Sequence, residues 1–228
     1  TKGFGVAKPK EFMELSKKLF YRVLGSEYYP GLAAYGTPEI TVAMDVHGML
    51  GVRNGRQTGG FEGIDEISHE AFREKFYKKS RACFGCPIHC CQWFEIKEGP
   101  FAGESGEGVE YGAVVGFGSG CGNSYAPSIF KAAMLCDQYG LDYINTAEMI
   151  GIAMEWYDLG MISKNDLDGI DLKWGDHEAI IQMVHKIGER EGFGKILGEG
   201  CVRAAKTVGK GAQKYICLLY TSDAADEL

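Results

Sequence analysis

The sequence predicts a mainly α fold, an irregular helical domain with long glycine-rich loops. Apolar residues recur at helical spacing along most of the chain, as they do in amphipathic helices. Alternating patterns typical of strands are scarce, and the best of them, residues 112–117, is short and bounded by glycine. With 45% hydrophobic residues in a chain of 228, the protein can bury a sizeable core.

Two helices are predicted before the first cysteine. The first spans residues 9–24, because Pro9 suits a first turn and an apolar stripe follows it. The second spans residues 69–81, with Ser68 placed to cap its N-terminus. Between them, residues 25–67 are rich in glycine and too long for a linker, so we expect part of this region to line a site. The stripe of the first helix consists of Phe12, Leu15, Leu19 and Val23.

Four further helices are predicted in the second half of the chain. One spans residues 127–139 and ends at Gly140. The next begins near Asn145, where Glu148 completes a capping-box pattern, and ends at Gly160. The remaining two helices follow the N-cap Asp176 and the apolar stripe Leu197, Cys201, Ala204 and Val208.

Charge and hydropathy exclude two classes of partner. The formal net charge is −7 and no basic run is present, so a nucleic-acid surface is not expected. No apolar run approaches the ~20 residues of a membrane helix. We therefore expect small molecules or proteins as partners.

The two ends of the sequence bear on its domain organisation. The chain opens at Thr1 rather than Met and runs straight into an amphipathic pattern, so we expect an upstream part of a longer protein. Residues 217–228 resemble a translated sequencing-library adapter, so we exclude them and Cys217 from fold reasoning; a short polar tail is the alternative. Residues 1–216 are then expected to form one helical domain.

The most specific feature is a C-x2-C-x3-C array formed by Cys83, Cys86 and Cys90. These short spacings let three sulfurs converge on one inorganic core, as in a cubane iron–sulfur cluster. Gly85 and Pro87 keep the segment out of regular helix. Clustered thiols favour a metal over disulfides, which predicts a reducing compartment and hence a cytoplasmic location.

Two alternatives remain open at the array. A structural zinc ion, with His89 or Cys91 as fourth ligand, has similar spacing. A [4Fe–4S] cluster needs a fourth thiolate, which lies beyond the chain or is one of the remaining cysteines. Those candidates are Cys121, Cys136 and Cys201, of which Cys121 alone lies in an open, glycine-rich loop.

A second motif is the run from Asp137 to Asp142 with the sequence D-Q-Y-G-L-D. Gly140 ends a helix, and the turn exposes carboxylates that can accept hydrogen bonds from a polar heterocycle. The alternative is an ordinary helix C-cap with two surface acids.

These residues resemble the motifs of a known family. The array with its Cys-Pro-Ile core is similar to the cluster-binding segment of the aldehyde:ferredoxin oxidoreductases, and D-Q-Y-G-L-D matches the family's D-x-x-G-L-D pterin motif. A looser third match is G-M-L-G-V-R-N, which ends at Arg53 and Asn54 and has Gly51 where proline is usual. Their order corresponds to the central helical domain of the family.

The resemblance implies a set of site residues. It makes Glu110 and Tyr111 catalytic by likeness to a Glu-Tyr-Glu element in which Gly112 here replaces the second acid. Cofactor-binding residues would be Asp137, Gly140, Leu141, Asp142, Arg53 and Asn54. Metal ligands would be Cys83, Cys86 and Cys90, with Cys121 as a candidate tungsten ligand.

The resemblance also implies cofactors and an activity. The complete enzyme would hold a [4Fe–4S] cluster and a tungsten or molybdenum bis-pterin, oxidise an aldehyde to a carboxylic acid and pass electrons to ferredoxin or another electron-transfer protein. The chain alone would be inactive. Within the family the alternative is the catalytic subunit of a benzoyl-coenzyme A reductase acting on an aryl-coenzyme A; a homodimer or a complex with electron-transfer subunits fits either. A zinc-stabilised helical binding module is the alternative of another class.

Overall fold

A computed structural model describes residues 5–216 of the chain, and the predicted adapter-derived tail, residues 217–228, lies outside the described residues. The fold is mainly helical, as predicted. Its helices are α1 (Pro9–Leu24), α2 (Tyr29–Tyr35), α3 (Thr41–Val46), α4 (His69–Phe76), α5 (Tyr111–Ala113), α6 (Ala126–Tyr139), α7 (Tyr143–Asp158), α8 (His177–Glu189), α9 (Gly192–Leu197) and α10 (Cys201–Val208).

Two small antiparallel sheets interrupt the helices. The first pairs β1 (Gly51–Val52) with β2 (Gln57–Thr58) inside the glycine-rich region. The second has the order β3-β4-β5 and consists of β3 (Tyr77–Arg81), β4 (Cys91–Glu95) and β5 (Ser105–Glu107). Pairing of Arg81 with Cys91 closes the β3–β4 hairpin, so residues 82–90 form its connecting loop. We call these residues the cysteine loop.

The predicted helix over 69–81 is correct only as far as Phe76. Ser68 caps it as expected, because its hydroxyl accepts the N–H of Ala71 at 3.1 Å. Beyond Phe76 the backbone turns extended and pairs with β4. Phe94 on the inner face of β4 stacks on Phe72 with ring centroids 6.0 Å apart, so burial of these rings favours the strand over helical propensity.

The strand predicted at 112–117 is wrong. This segment is helical, since α5 continues into a π-helical turn at Val114–Gly118 that packs against α7. A β-carbon at Gly116 would stand 2.6 Å from the β-carbon of Ala147, so glycine permits this close approach. The four-residue spacing of Gly112, Gly116 and Gly120 is the helical signal that the sequence contained.

The helices of the second half enclose the core. α7 is buried along most of its length, α8 packs on α6 and α9, and Gly140 ends α6 in the left-handed conformation, as predicted. Asp176 caps α8 as predicted. The predicted start of α7 at Asn145 is wrong, because the helix begins at Tyr143 and Asp142 is its N-cap. The N–H of Asn145 donates to the Asp142 carboxylate at 2.7 Å.

The structure differs from the predicted helices near both ends of the described chain. The single helix predicted along Leu197 to Val208 is divided into α9 and α10, because Gly200 adopts a φ of +88°. The predicted helix over 9–24 is present as α1, yet no residue of it is buried within the described part of the chain. Its stripe residues Phe12, Leu15 and Leu19 are about half exposed. Among residues 5–216, no helix combines the length and apolar character needed to cross a bilayer.

Candidate functional site

The three predicted cluster cysteines lie together on the cysteine loop. Cys83 is exposed, whereas Cys86 and Cys90 are partly buried. A turn joins the first two, with the N–H of Cys86 donating to the carbonyl of Cys83 at 3.0 Å, and Gly85 takes the φ of +73° that this turn requires. Within residues 5–216, no three His, Cys, Asp or Glu side chains stand ready to hold a metal ion. The loop therefore carries the thiols on one segment without closing them around a centre.

The electrostatics of Cys90 relate the cysteine loop to Glu110. Burial raises the pKa of the Cys90 thiol, and the carboxylate of Glu110 raises it further. A bound metal reverses this balance, because its positive charge stabilises the thiolates. Three soft sulfur donors on an irregular loop fit an iron–sulfur cluster by donor chemistry, and they fit zinc as well.

An acidic cavity of about 250 Å³ lies where the segment containing Glu110 meets the turn that begins at Asp137. Glu110 contributes from the segment before α5, Asp137 from the end of α6 and Tyr143 from the start of α7. The structure thus brings together Glu110 and Asp137, which are separated by α5 and most of α6. The cavity is lined by Glu107, Gly108, Val109, Glu110, Ala113, Ala133, Asp137 and Tyr143.

Glu107 connects the acidic cavity to the hairpin. Its Oε1 accepts a hydrogen bond from the Cys91 thiol at 2.8 Å. That bond, together with burial, raises the pKa of Cys91 to about 12. In the described structure the Cys91 thiol is thus a hydrogen-bond donor to Glu107. Sequence reasoning missed Glu107, because its position depends on the β4–β5 pairing.

Thr37 positions the predicted catalytic pair. Its hydroxyl donates to Oε2 of Glu110 and accepts the backbone N–H of Tyr111 at 2.8 Å. Thr37 belongs to the glycine-rich region 25–67, which therefore contacts Glu110 and Tyr111 although none of its residues lines the acidic cavity. Burial raises the pKa of Tyr111. At Gly112, a β-carbon would lie 3.0 Å from the side chain of Ile144, which would have to shift to admit it.

In the D-x-x-G-L-D turn, Gly140 and Asp142 stabilise the helix ends, whereas Asp137 lines the acidic cavity. Gly140 adopts a φ of +69°, and the N–H groups of Gly140 and Leu141 donate to carbonyls of α6 at 3.2 and 2.8 Å. The Asp142 carboxylate caps α7. Asp137 is left facing the acidic cavity, where desolvation and then Glu107 raise its pKa. Within this turn, Asp137 is the carboxylate available to a ligand in the described structure.

Arg53 and Asn54, the other two predicted cofactor-binding residues, do not line the acidic cavity. Both have left-handed backbone, at φ of +48° and +53°, and their N–H groups donate to Ser119 and Gly120 at 2.9 Å. The side-chain amide of Asn54 donates to the Glu155 carboxylate and to the Tyr215 carbonyl, so this side chain stabilises the fold. Glu155 is about 18 Å along α7 from Tyr143, at 1.5 Å per residue. The structure does not bring this pair to the acidic cavity.

Arg53 faces a cavity of its own. This second cavity measures about 450 Å³ and is lined by Arg53, Tyr157, Asp158, Lys173 and Trp174. It shares no lining residue with the acidic cavity.

Cys121 is also placed apart from the cysteine loop. Its side chain is fully buried in the hydrophobic core, and its thiol points to the carbonyl of Ala147 at 3.8 Å. Burial raises the pKa of this thiol to about 12. In the described structure Cys121 is a small core side chain, which is the placement that an apolar environment gives to a free cysteine.

The fold and site define a helical domain that presents clustered thiols beside an acidic cavity, as a cofactor-binding part of a redox enzyme would. A family model described as "Aldehyde ferredoxin oxidoreductase, domains 2 & 3" matches residues 14–218. The chain therefore belongs to the aldehyde ferredoxin oxidoreductase family.

Two relatives illustrate this membership. A tungsten-containing aldehyde ferredoxin oxidoreductase of Pyrococcus abyssi is 37% identical over 179 residues, which cover 77% of this chain and 29% of the relative. The WOR-like subunit of an aliphatic sulfonate oxidoreductase of Pyrococcus furiosus is 37% identical over 147 residues, 64% of this chain and 23% of the relative. The chain thus spans less than a third of the curated relatives it matches.

A solved structure shares the fold. The active-site complex BamBC of benzoyl coenzyme A reductase, in complex with 1,5-dienoyl-CoA, superposes with a TM-score of 0.71 at 22% identity, covering 94% of this chain and 33% of that chain. This likeness shows a common fold.

Proposed function

We propose that this chain is the cluster- and pterin-binding domain of a larger tungsten oxidoreductase that converts an aldehyde and water to a carboxylic acid, two protons and two electrons. The supporting observation is the acidic cavity, which gathers Glu110 from one motif and Asp137 from the other next to the cysteine loop. The electrons leave singly for a ferredoxin or another carrier, and the protein works in the cytoplasm.

In this proposal Cys83, Cys86 and Cys90 hold a [4Fe–4S] cluster whose fourth thiolate lies outside the described chain. We leave Cys121 out of the ligand set, because its thiol is fully buried. Asp137 accepts hydrogen bonds from a pterin of the tungsten cofactor. Once bound, that cofactor supplies the two-electron redox chemistry, and the protein supplies binding, orientation and proton handling.

Glu110 has the geometry for proton handling. Thr37 donates to Oε2 of Glu110, and Oε1 has no hydrogen-bond partner among the described residues. A carboxylate oxygen held in this way can take the proton that water loses as it adds to the aldehyde carbon. Because Gly112 supplies no second acid, Glu110 carries this task alone among the motif residues.

A second candidate keeps the same domain but changes the substrate to an aryl-coenzyme A. The observation that favours it is Gly112, where the family's second acid is missing and a β-carbon would already crowd Ile144. Assays of one purified enzyme with a set of aldehydes and with benzoyl-coenzyme A separate the two reactions.

The decisive experiment is metal and sulfide analysis of the complete protein, purified without oxygen. We expect iron, acid-labile sulfide and tungsten, and Cys86→Ser should lose iron while the control Cys201→Ser retains it. Asp137→Asn should lower the tungsten content. Asp142→Asn should leave it unchanged, because asparagine still caps α7. Stoichiometric zinc without sulfide would contradict the proposal and would indicate a zinc-stabilised binding module.

A further inference from the structure

A row of basic side chains leads directly to the cysteine loop. β3 is an edge strand of its sheet, and its residues Lys78, Lys79 and Arg81 are exposed. We call these three residues the basic edge. Cys83 follows two residues after Arg81, so the basic edge and the thiols belong to one hairpin.

Two cations of the basic edge, Lys79 and Arg81, lie over an aromatic ring and are not neutralised, whereas Lys78 pairs with Glu95. Arg81 lies over the Trp93 ring at 4.7 Å and Lys79 at 5.9 Å. Neither has a carboxylate partner within salt-bridge distance in residues 5–216. The tryptophan orders both side chains and leaves their charges to solvent.

The acids of the same face are already engaged. Glu95 pairs with Lys78 at 2.5 Å, and Glu107 accepts from the Cys91 thiol. Lys97 also acts on Glu95, because its charge helps to lower the pKa of that carboxyl. Among the described residues, Lys79 and Arg81 therefore place two unpaired positive charges at this edge of a chain whose formal net charge is −7.

The tip of the hairpin adds an apolar contact. Phe84, between two of the thiols, is fully exposed. An exposed aromatic residue beside unpaired cations has the composition of a small recognition surface with an apolar centre and a charged rim. Transient redox complexes use interfaces of this small size.

We propose that the basic edge and Phe84 form the docking surface for a small acidic electron-carrier protein. The proposal rests on the proposed function, since a carrier docks here only if the cysteine loop holds a cluster. Charge complementarity identifies the partner: the acidic remainder of the chain repels an acidic protein, and this edge attracts it. A carrier docked here would have its redox centre beside the thiols, and a cluster held by Cys83, Cys86 and Cys90 could then pass one electron per encounter to the oxidised carrier.

The test is the Kd of a purified acidic [4Fe–4S] ferredoxin for the complete, cluster-loaded protein, measured by titration calorimetry at two salt concentrations. We expect Lys79→Glu with Arg81→Glu to weaken binding by roughly tenfold at low salt, and added salt to weaken binding of the unaltered protein. Lys164→Glu with Lys206→Glu is the matched control, because it makes the same change of net charge at exposed positions on other elements.

The outcomes separate the two proposals. An unchanged Kd in the Lys79/Arg81 variant, or an equal loss in the control, overturns the docking surface while a normal iron content leaves the proposed function standing. Absence of iron and sulfide from the unaltered protein overturns the proposed function itself. If charge reversal prevents folding, Lys79→Gln with Arg81→Gln replaces it, with a smaller expected loss and an unchanged visible spectrum as the check of integrity.

Discussion

At the scale of single residues, the site depends on side chains with two partners each. Thr37 joins Glu110 to Tyr111, and Glu107 joins Cys91 to the acidic cavity. Neither Thr37 nor Glu107 belongs to a sequence motif. Each reaches its partners across the fold, over 73 residues in the case of Thr37 and Glu110.

Replacement of Thr37 tests this arrangement. Thr37→Val removes a donor and an acceptor at once and leaves the Tyr111 N–H without its partner, which should lower the free energy of unfolding by about 1–2 kcal/mol. Thr37→Ser keeps both hydrogen bonds and should lose less than about 0.5 kcal/mol. Urea denaturation of both variants checks this. Equal losses would show that the Thr37 methyl group, rather than its hydroxyl, matters.

At the scale of elements, the turn between α6 and α7 depends on the backbone conformation of one residue. Gly140 is left-handed, yet a β-carbon there would touch nothing within 4 Å. Its requirement for glycine is therefore conformational and not steric.

Substitution at Gly140 should follow that distinction. Gly140→Ala should cost about 1 kcal/mol of unfolding free energy, the usual penalty for a left-handed residue with a β-carbon. Gly140→Asn should cost less, because asparagine tolerates this conformation. Thermal unfolding of the two variants measures the difference. A larger loss for asparagine would indicate that its side chain meets a neighbour after all.

Element prediction from sequence succeeded where the signal was local. The caps Ser68 and Asp176 and the terminator Gly140 act through hydrogen bonds within four residues, so the pattern alone identified them. Residues 77–81 were assigned to a helix because their pairing with β4 is not local. The segment at 112–117 was misjudged because glycine was taken as a boundary, whereas Gly116 is a contact surface for α7.

Site prediction followed the same division. The thiols of the array share one loop, and Glu110 and Asp137 meet at the acidic cavity. Asn54 and Asp142 belong to the motifs, but their side chains make hydrogen bonds that stabilise the fold, Asn54 to the Tyr215 carbonyl and Asp142 to the N–H of Asn145. A motif identifies residue types in order, and only the tertiary structure decides which of their polar atoms stay free.

At the scale of the whole molecule, a polar network ties the glycine-rich region to the core. Arg56 donates to Glu155 at 2.9 Å and to Asp158 at 2.6 Å, and it stacks on Trp174. Glu155 is 6% exposed and also accepts from Asn54, which reaches on to Tyr215. One buried carboxylate therefore connects three distant stretches of the chain.

Replacement of Arg56 should lower the free energy of unfolding, because the buried Glu155 carboxylate then has no cationic partner. Arg56→Met leaves the Glu155 charge buried without its partner, and we expect a loss of about 2 kcal/mol, below the ~3–5 kcal/mol of fully buried pairs because Arg56 is one-third exposed. Arg56→Met with Glu155→Leu should recover part of this loss. Chemical denaturation of both single variants and the double variant provides the cycle. Additive losses would mean that the two side chains do not interact.

The hairpin that carries the cysteines has a consequence for the order of assembly. Its closure by Arg81 and Cys91 brings three sulfurs near one another through a very short stretch of polypeptide, whereas α6 and α8 meet across a much longer one. Short closures cost little chain entropy and form early. A nascent chain is therefore able to offer its thiols to an iron donor before α6 and α8 have been synthesised.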